Sequence, residues 1–285
     1  MNNFAIGRIP LGEWVASFVD WLQTHDHGTF DFIGKVVDGM TGGIEHALLS
    51  VPFWLIAAIF VGLGLWRRGW KFAVFCVAAF ALIANTGFGD QTMVTLALIT
   101  ASTIISLIVG IPLGIWAARS NRVEMIVRPI LDFMQTMPAF VYLIPAAMFF
   151  GLGRVPGVIS TVIFAMPPVV RLTSLGIRQV HKEQVEAGIA FGCTPRQLLF
   201  KVQIPGAMPS LLAGINQTIM MALSMVITAS MVGAGGLGND VLASISRLDI
   251  GLGFESGLAV VLLAIVLDRI TESFGVKRVK KFKKN

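Results

Sequence analysis

The sequence predicts an all-α membrane protein of about seven transmembrane helices, and three observations carry that prediction. Of its 285 residues, 55% are hydrophobic and only 13% are charged, about half the charged share of a soluble domain. Seven stretches approach the roughly 20 apolar residues that a helix needs to cross a bilayer. The basic residues crowd onto alternate connections between those stretches, as they do in membrane proteins. The same figures exclude a disordered chain, a coiled coil, a disulfide-stapled secreted domain and an ordinary soluble enzyme.

Residues 1–46 precede the first span. Within them Leu11, Trp14, Val15, Phe18, Val19 and Leu22 fall on one helical face, and Ile33, Val36, Val37 and Met40 repeat the pattern. Both read as amphipathic helices lying at the outer interface or packed on the bundle. The segment lacks the basic start and unbroken apolar core of a signal peptide. The spans follow at 47–66, 72–88, 92–117, 130–153, 155–170, 209–233 and 256–274. The first two make an N-terminal scaffold (47–89), the others form a core (90–275), and a basic tail (276–285) ends the chain. Pro112 interrupts the third span, and Pro138 and Pro145 the fourth. Membrane helices tolerate such breaks where neighbours or a cavity satisfy the freed carbonyls. The last span works only if Asp268, Arg269 and Glu272 sit at headgroup level.

Eighteen of the 22 Lys and Arg residues lie on one set of alternate connections. That bias puts the N-terminus outside and the C-terminus in the cytoplasm, which needs an odd number of spans. The net charge of +6 therefore records orientation, and nucleic acid is not an expected partner. The tail KRVKKFKKN is read as a topology anchor touching anionic lipid.

What is missing also narrows the function. There is no G-x-x-x-x-G-K-[ST] loop to cradle nucleotide phosphates, so the chain is not expected to hydrolyse ATP. No ionisable side chain lies near the middle of a span, where proton relays and many ion-coupled carriers place one. Cys76 and Cys193 fall in different compartments, and the four histidines form no ligand set, so no metal is expected. Asn216 and Gln217 read as polar glue between helices. The GAGGLG run from Gly233 to Gly238 follows a membrane helix rather than a strand and reads as a flexible outer turn.

The cytoplasmic connection 171–208 is the most informative stretch. A helix from Glu183 to Phe191 ends at Gly192, which can take a left-handed turn. Thr194 then caps a second short helix with Pro195 at its first position, and Pro205 closes it. This is a compact helical hook tethered at both ends. The sequence Glu186-Ala187-Gly188, three further residues, Gly192, nine more, then Val202-Gln203-Ile204-Pro205 resembles the EAA motif of ABC importer permeases. It departs at Gly188, where the motif has Ala. The runs LDFMQTMPAFVYLIP, VIFAMPPVVRLT, AGINQTIMMALSMV and MVGAGGLG resemble the glycine betaine/proline betaine branch of that family, over about residues 90–275.

The resemblance implies a type I ABC importer permease fold in a bacterial inner membrane. It also implies a homodimer of permeases with two cytoplasmic ATPases and an extracytoplasmic solute-binding protein. The chain would hold no cofactor, ATP being bound by the partner subunit. Glu186, Ala187, Gly188, Gly192 and Pro205 would form the joint with the ATPase. Quaternary ammonium groups are commonly held by aromatic rings, which makes Tyr142, the single tyrosine, and nearby Met137 candidates for the solute path. Choline, carnitine or a small amino acid are the alternative solutes, and an ion-coupled carrier is the rival class.

Overall fold

The computed structural model describes residues 10–25 and 27–275. Every one of the seven apolar stretches is helical, but their ends and breaks differ from the expected ones. The order is α1 (Leu11–His25), α2 (His27–Leu49), α3 (Phe53–Arg68), α4 (Trp70–Asn85), α5 (Gly89–Arg119), α6 (Asn121–Thr136) and α7 (Phe140–Phe150). Then come α8 (Arg154–Ala165), α9 (Pro167–Arg178), α10 (Lys182–Ala190), α11 (Pro195–Leu198), α12 (Ile204–Ala229), α13 (Leu237–Arg247) and α14 (Ile250–Gly275). Four helical runs are long and apolar enough to cross a membrane: 89–119, 154–178, 195–232 and 250–274. The pairs α2–α3 and α6–α7 qualify only as spans bent by 94° and 99°. Helix α4 is apolar but has 16 residues, so a count of seven needs both bent pairs and α4 to cross.

Proline chemistry explains which runs break. Pro52 and Pro138 stand at the two bends, with extended backbone at Pro52 and at Met137, the residue before Pro138. Pro112 sits inside the 31-residue α5 without ending it. At Pro167-Pro168 the chain starts a new helical segment in line with α8, proline being well suited to a first helical position. The fifth span thus runs on to Arg178, eight residues beyond the expected limit at residue 170.

The core is a tight bundle of α5, α8–α9, α12 and α14. Small residues let the backbones approach, as is usual between membrane helices. A Cβ on Gly114 would stand 2.7 Å from the Val170 carbonyl oxygen, and one on Gly176 would stand 2.7 Å from Ser210 Cβ. In a separate cluster that also takes in α4, Phe80, Ile83, Met93, Leu98, Leu263 and Val266 are fully buried. Asn216 of α12 does join helices: it donates to Asp268 and accepts from Thr271 on α14. Gln217 faces away into a cavity.

Charged groups tie each end of the bundle together. At one end Arg68 pairs with Glu272 and donates to the Arg269 carbonyl, and Arg178 pairs with Glu124 at 2.8 Å. At the other, Arg154 is clamped between Asp38 (2.6 Å) and Glu45 (3.0 Å) of α2. That clamp selects the packed face of α2. Phe30 stacks on Phe149 at 4.4 Å, and Val37 and Thr41 are buried, whereas Ile33 and Val36 are exposed. Of the expected apolar face, Val37 is buried and Met40 half-buried, while Ile33 and Val36 turn outward. On α1, Val19 is buried and Trp14 exposed; the side chains of Leu11, Val15 and Phe18, like the tail 276–285, lie outside the described residues.

Two expectations are corrected. The GAGGLG run is a packed wedge, not a flexible turn. Leu237 is fully buried, its N–H donates to Thr95 Oγ1 at 2.8 Å, and Val232 accepts from Gly153 N–H at 2.8 Å. Glycine is required there because φ is +73° at Gly236, where a Cβ would also collide with Thr95. Pro205 does not close a helix either. The preceding turn, Leu199–Gln203, widens to a π-turn, and the helix continues unbroken into α12. Proline lacks an N–H and crowds the carbonyl four residues back; a widened turn relieves both conflicts.

Candidate functional site

Two places in the fold can do chemistry or mechanical work. The first is the hook between α9 and α12. Helix α10 ends in a Schellman pattern: Cys193 N–H donates to the Gly188 carbonyl at 3.0 Å and Gly192 N–H to the Ile189 carbonyl at 2.9 Å, with φ of +77° at Gly192. A full capping box follows, Thr194 and Gln197 exchanging side-chain and backbone hydrogen bonds, with Pro195 next in line. The turn expected from Gly192, Thr194 and Pro195 is present. These paired hydrogen bonds on both sides of Gly192 hold the turn in one geometry, which makes the hook stiff.

The residues singled out in the hook divide by role. Gly188 is the buried one on α10, and a Cβ there would meet Leu198 Cδ1 at 2.8 Å. It is the packing position between the two short helices. Glu186 and Ala187 are exposed. Pro205 lies below, inside the continuous helix. Sequence reasoning missed the apolar tip: Phe191 is 90% exposed, with Ile189 and Phe200 also largely exposed. A phenylalanine directly before a helix-ending glycine, in an otherwise polar loop, was the available signal. Exposed apolar groups along the hook make it a candidate contact surface.

The hook is linked to the core at both feet. Gln179, Val180 and His181 join α10 to α9, and the π-turn joins α11 to α12. Helices α9 and α12 touch directly at Gly176 and Ser210. A push on the hook therefore reaches two packed core helices with little slack.

The second place is a cavity of about 480 Å³ between α6 and α9, reached by Gln217 of α12. Its walls carry Gln135 and two ion pairs, Arg171–Asp132 and Arg178–Glu124. Arg171 spends Nη2 on Asp132, while its Nε–H is buried without a partner among the described residues. Neither Met137 nor Tyr142 lines this cavity. Met137 is the half-buried residue at the α6–α7 break. Tyr142 is half-buried beside it, and its hydroxyl donates to the Met134 carbonyl at 2.6 Å, stapling α7 to the end of α6.

A helical membrane bundle with an exposed hook rooted in two of its core helices is the architecture of a multi-pass membrane protein with a surface open to a partner. The chain belongs to the family of binding-protein-dependent transport system inner membrane components, whose model matches residues 110–278. Membership makes it an inner-membrane transport subunit of the ABC importer class, not an enzyme, and implies ATPase and binding-protein partners. It is 50% identical over 271 residues to the glycine betaine transport system permease protein OpuAB of Bacillus subtilis, covering 95% of this chain and 96% of that one. It is 48% identical over 275 residues to the glycine betaine/proline betaine transport system permease protein ProW of Escherichia coli, covering 96% and 78%. Among solved structures, the MetNI methionine ABC transporter in inward-facing conformations matches with a TM-score of 0.59 at 20% identity, covering 64% of this chain and 91% of that chain. That likeness supports the fold.

Proposed function

We propose that this chain is the permease subunit of an ATP-driven importer of glycine betaine/proline betaine-type compatible solutes. The observation that carries the reading is the hook: stiff, apolar at its tip and continuous with α9 and α12. Identity near one half to relatives named for glycine betaine transport supplies the solute class. Phe191, Ala187 and Glu186 form the face that meets a cytoplasmic ATPase. Gly192 sets the turn, Gly188 the packing, and Pro205 the widened exit into α12. The N-terminus lies outside and the C-terminus inside; the grouping of charges into two bundle ends supports this, and the basic bias chooses the side. Two copies of the chain, two ATPases and an external binding protein complete the assembly.

In operation, ATP-driven closure of the ATPases moves the hooks, and α9 and α12 follow as levers that expose the path to one side and then the other. Met137 and Tyr142 shape the path wall at the α6–α7 break, with the Tyr142 hydroxyl holding the break in place. Competition tests the solute class. Uptake of labelled glycine betaine by cells in high-osmolarity medium should fall with excess proline betaine and be little affected by methionine. Stronger competition by choline or carnitine than by proline betaine would reassign the solute.

A further inference from the structure

The cavity between α6 and α9 holds a pair of opposite charges that a zwitterion can exchange with. Its 480 Å³ falls within the roughly 300–1,000 Å³ of small-molecule sites. Two of its three wall cations are matched, Arg178 by Glu124 and Arg171 by Asp132, while the third, Arg128, is exposed. The two pairs differ. Arg178 also donates to the Ala117 carbonyl at 2.8 Å and to Asn121 at 2.9 Å, so its guanidinium is locked. Arg171 makes one bond, to Asp132, and leaves the adjacent Nε–H unsatisfied in a buried position. A buried donor without a partner is costly. A carboxylate that replaced Asp132 could take Nη2 and Nε together in the side-on, two-bond geometry that guanidinium favours.

We propose that this cavity is an exit-side seat for a zwitterionic solute, whose carboxylate displaces Asp132 from Arg171 while its cationic end pairs with the freed Asp132. The amides of Gln135 and Gln217, which face the same space, can donate hydrogen bonds to the solute carboxylate as it passes. Solute and ion pair exchange partners without creating a new uncompensated charge, so the seat binds weakly and releases readily. Because Arg171 lies on α9, one of the levers rooted in the hook, movement of the ATPases alters the seat directly. This inference rests on the importer reading.

The test uses the complete permease–ATPase complex in vesicles of phosphatidylglycerol and cardiolipin, which lack zwitterionic headgroups that could fill the cavity. Binding of labelled glycine betaine is measured without the binding protein, and ATP-driven uptake with it. Wild type should bind saturably and weakly. Arg171→Gln should lose about tenfold or more in affinity and shift the betaine-to-choline ratio by a similar factor toward choline, which has no carboxylate. Asp132→Asn should weaken both solutes. ATP hydrolysis stimulated by the binding protein reports folding and assembly. If Arg171→Gln does not assemble, Arg171→Lys, which keeps charge but loses the side-on pair, carries the same ratio test. An unchanged ratio in a variant with normal hydrolysis overturns the seat while leaving the importer intact. Absence of betaine uptake by the wild type would instead overturn the importer reading.

Discussion

Replacing Gly114 by alanine tests whether close backbone approach holds the core together. Alanine is the better helix former by about 1 kcal/mol in an exposed helix, so propensity alone predicts stabilisation. The packing says otherwise. The new Cβ would lie 2.7 Å from Thr173 Cβ, 2.7 Å from the Val170 carbonyl oxygen and 3.0 Å from Thr173 Cγ2, whereas relaxed carbon contacts need about 3.5–4.0 Å. The carbonyl is backbone and cannot rotate away, so α5 and α9 must separate by roughly 0.5–1 Å. A gap of that size forfeits a quarter to a half of the dispersion energy of the atoms along it, and overpacking of this kind costs about 1–3 kcal/mol. Gly62 on α3 is the control, because a Cβ there meets nothing within 4 Å. In lipid nanodiscs, Gly62→Ala should keep or raise the melting temperature of the purified permease, and Gly114→Ala should lower it. Shifts of the same sign and size would refute the packing argument.

Other predictions address the hook, the break and the outer end. Thr194→Ala removes the capping box and should cost about 1 kcal/mol locally, seen as faster hydrogen exchange in 195–203 with little change in α5. Tyr142→Phe keeps the ring but loses the bond to the Met134 carbonyl; it should lower stability by about 1 kcal/mol and leave the KM for solute unchanged. A rise in KM with no loss of stability would return the hydroxyl to the solute path. Asp240 has a buried oxygen with no partner among the described residues, and burial raises its carboxyl above the usual range. An acid raised in the folded state favours folding at low pH. Its contribution weakens as pH rises from the unfolded value through the folded one. Asp240→Asn should flatten that slope in melting curves between mildly acidic and neutral pH.

The architecture was legible where one physical signal dominated. Apolar run length located the helices, and Gly192, Thr194 and Pro195 located the hook because each residue type has a narrow backbone use. Reading failed where tertiary contacts overrode local chemistry. Pro205 looks like a stop, yet a π-turn absorbs it. GAGGLG looks loose, yet Gly233, Gly235 and Gly236 take positive φ, and a Cβ on Gly236 or Gly238 would strike Thr95 or Ser230. Which side of α2 packs is decided by the Arg154 clamp, made across more than a hundred residues, which no local pattern encodes. The exposure of Phe191 is not encoded locally, since an apolar residue beside apolar spans reads as buried, and the unsatisfied Nε–H of Arg171 exists only in the fold.

The central claim is that ATP hydrolysed by a partner drives solute movement through the hook. Vesicles containing the permease, its ATPase partner and binding protein should import glycine betaine with ATP, and show none with a sodium or proton gradient alone. Replacing Phe191 by Asp should abolish both ATPase association and uptake while the isolated permease melts as the wild type does. Import on an ion gradient without the ATPase, or full ATP-driven uptake by the Phe191→Asp variant, would contradict the account.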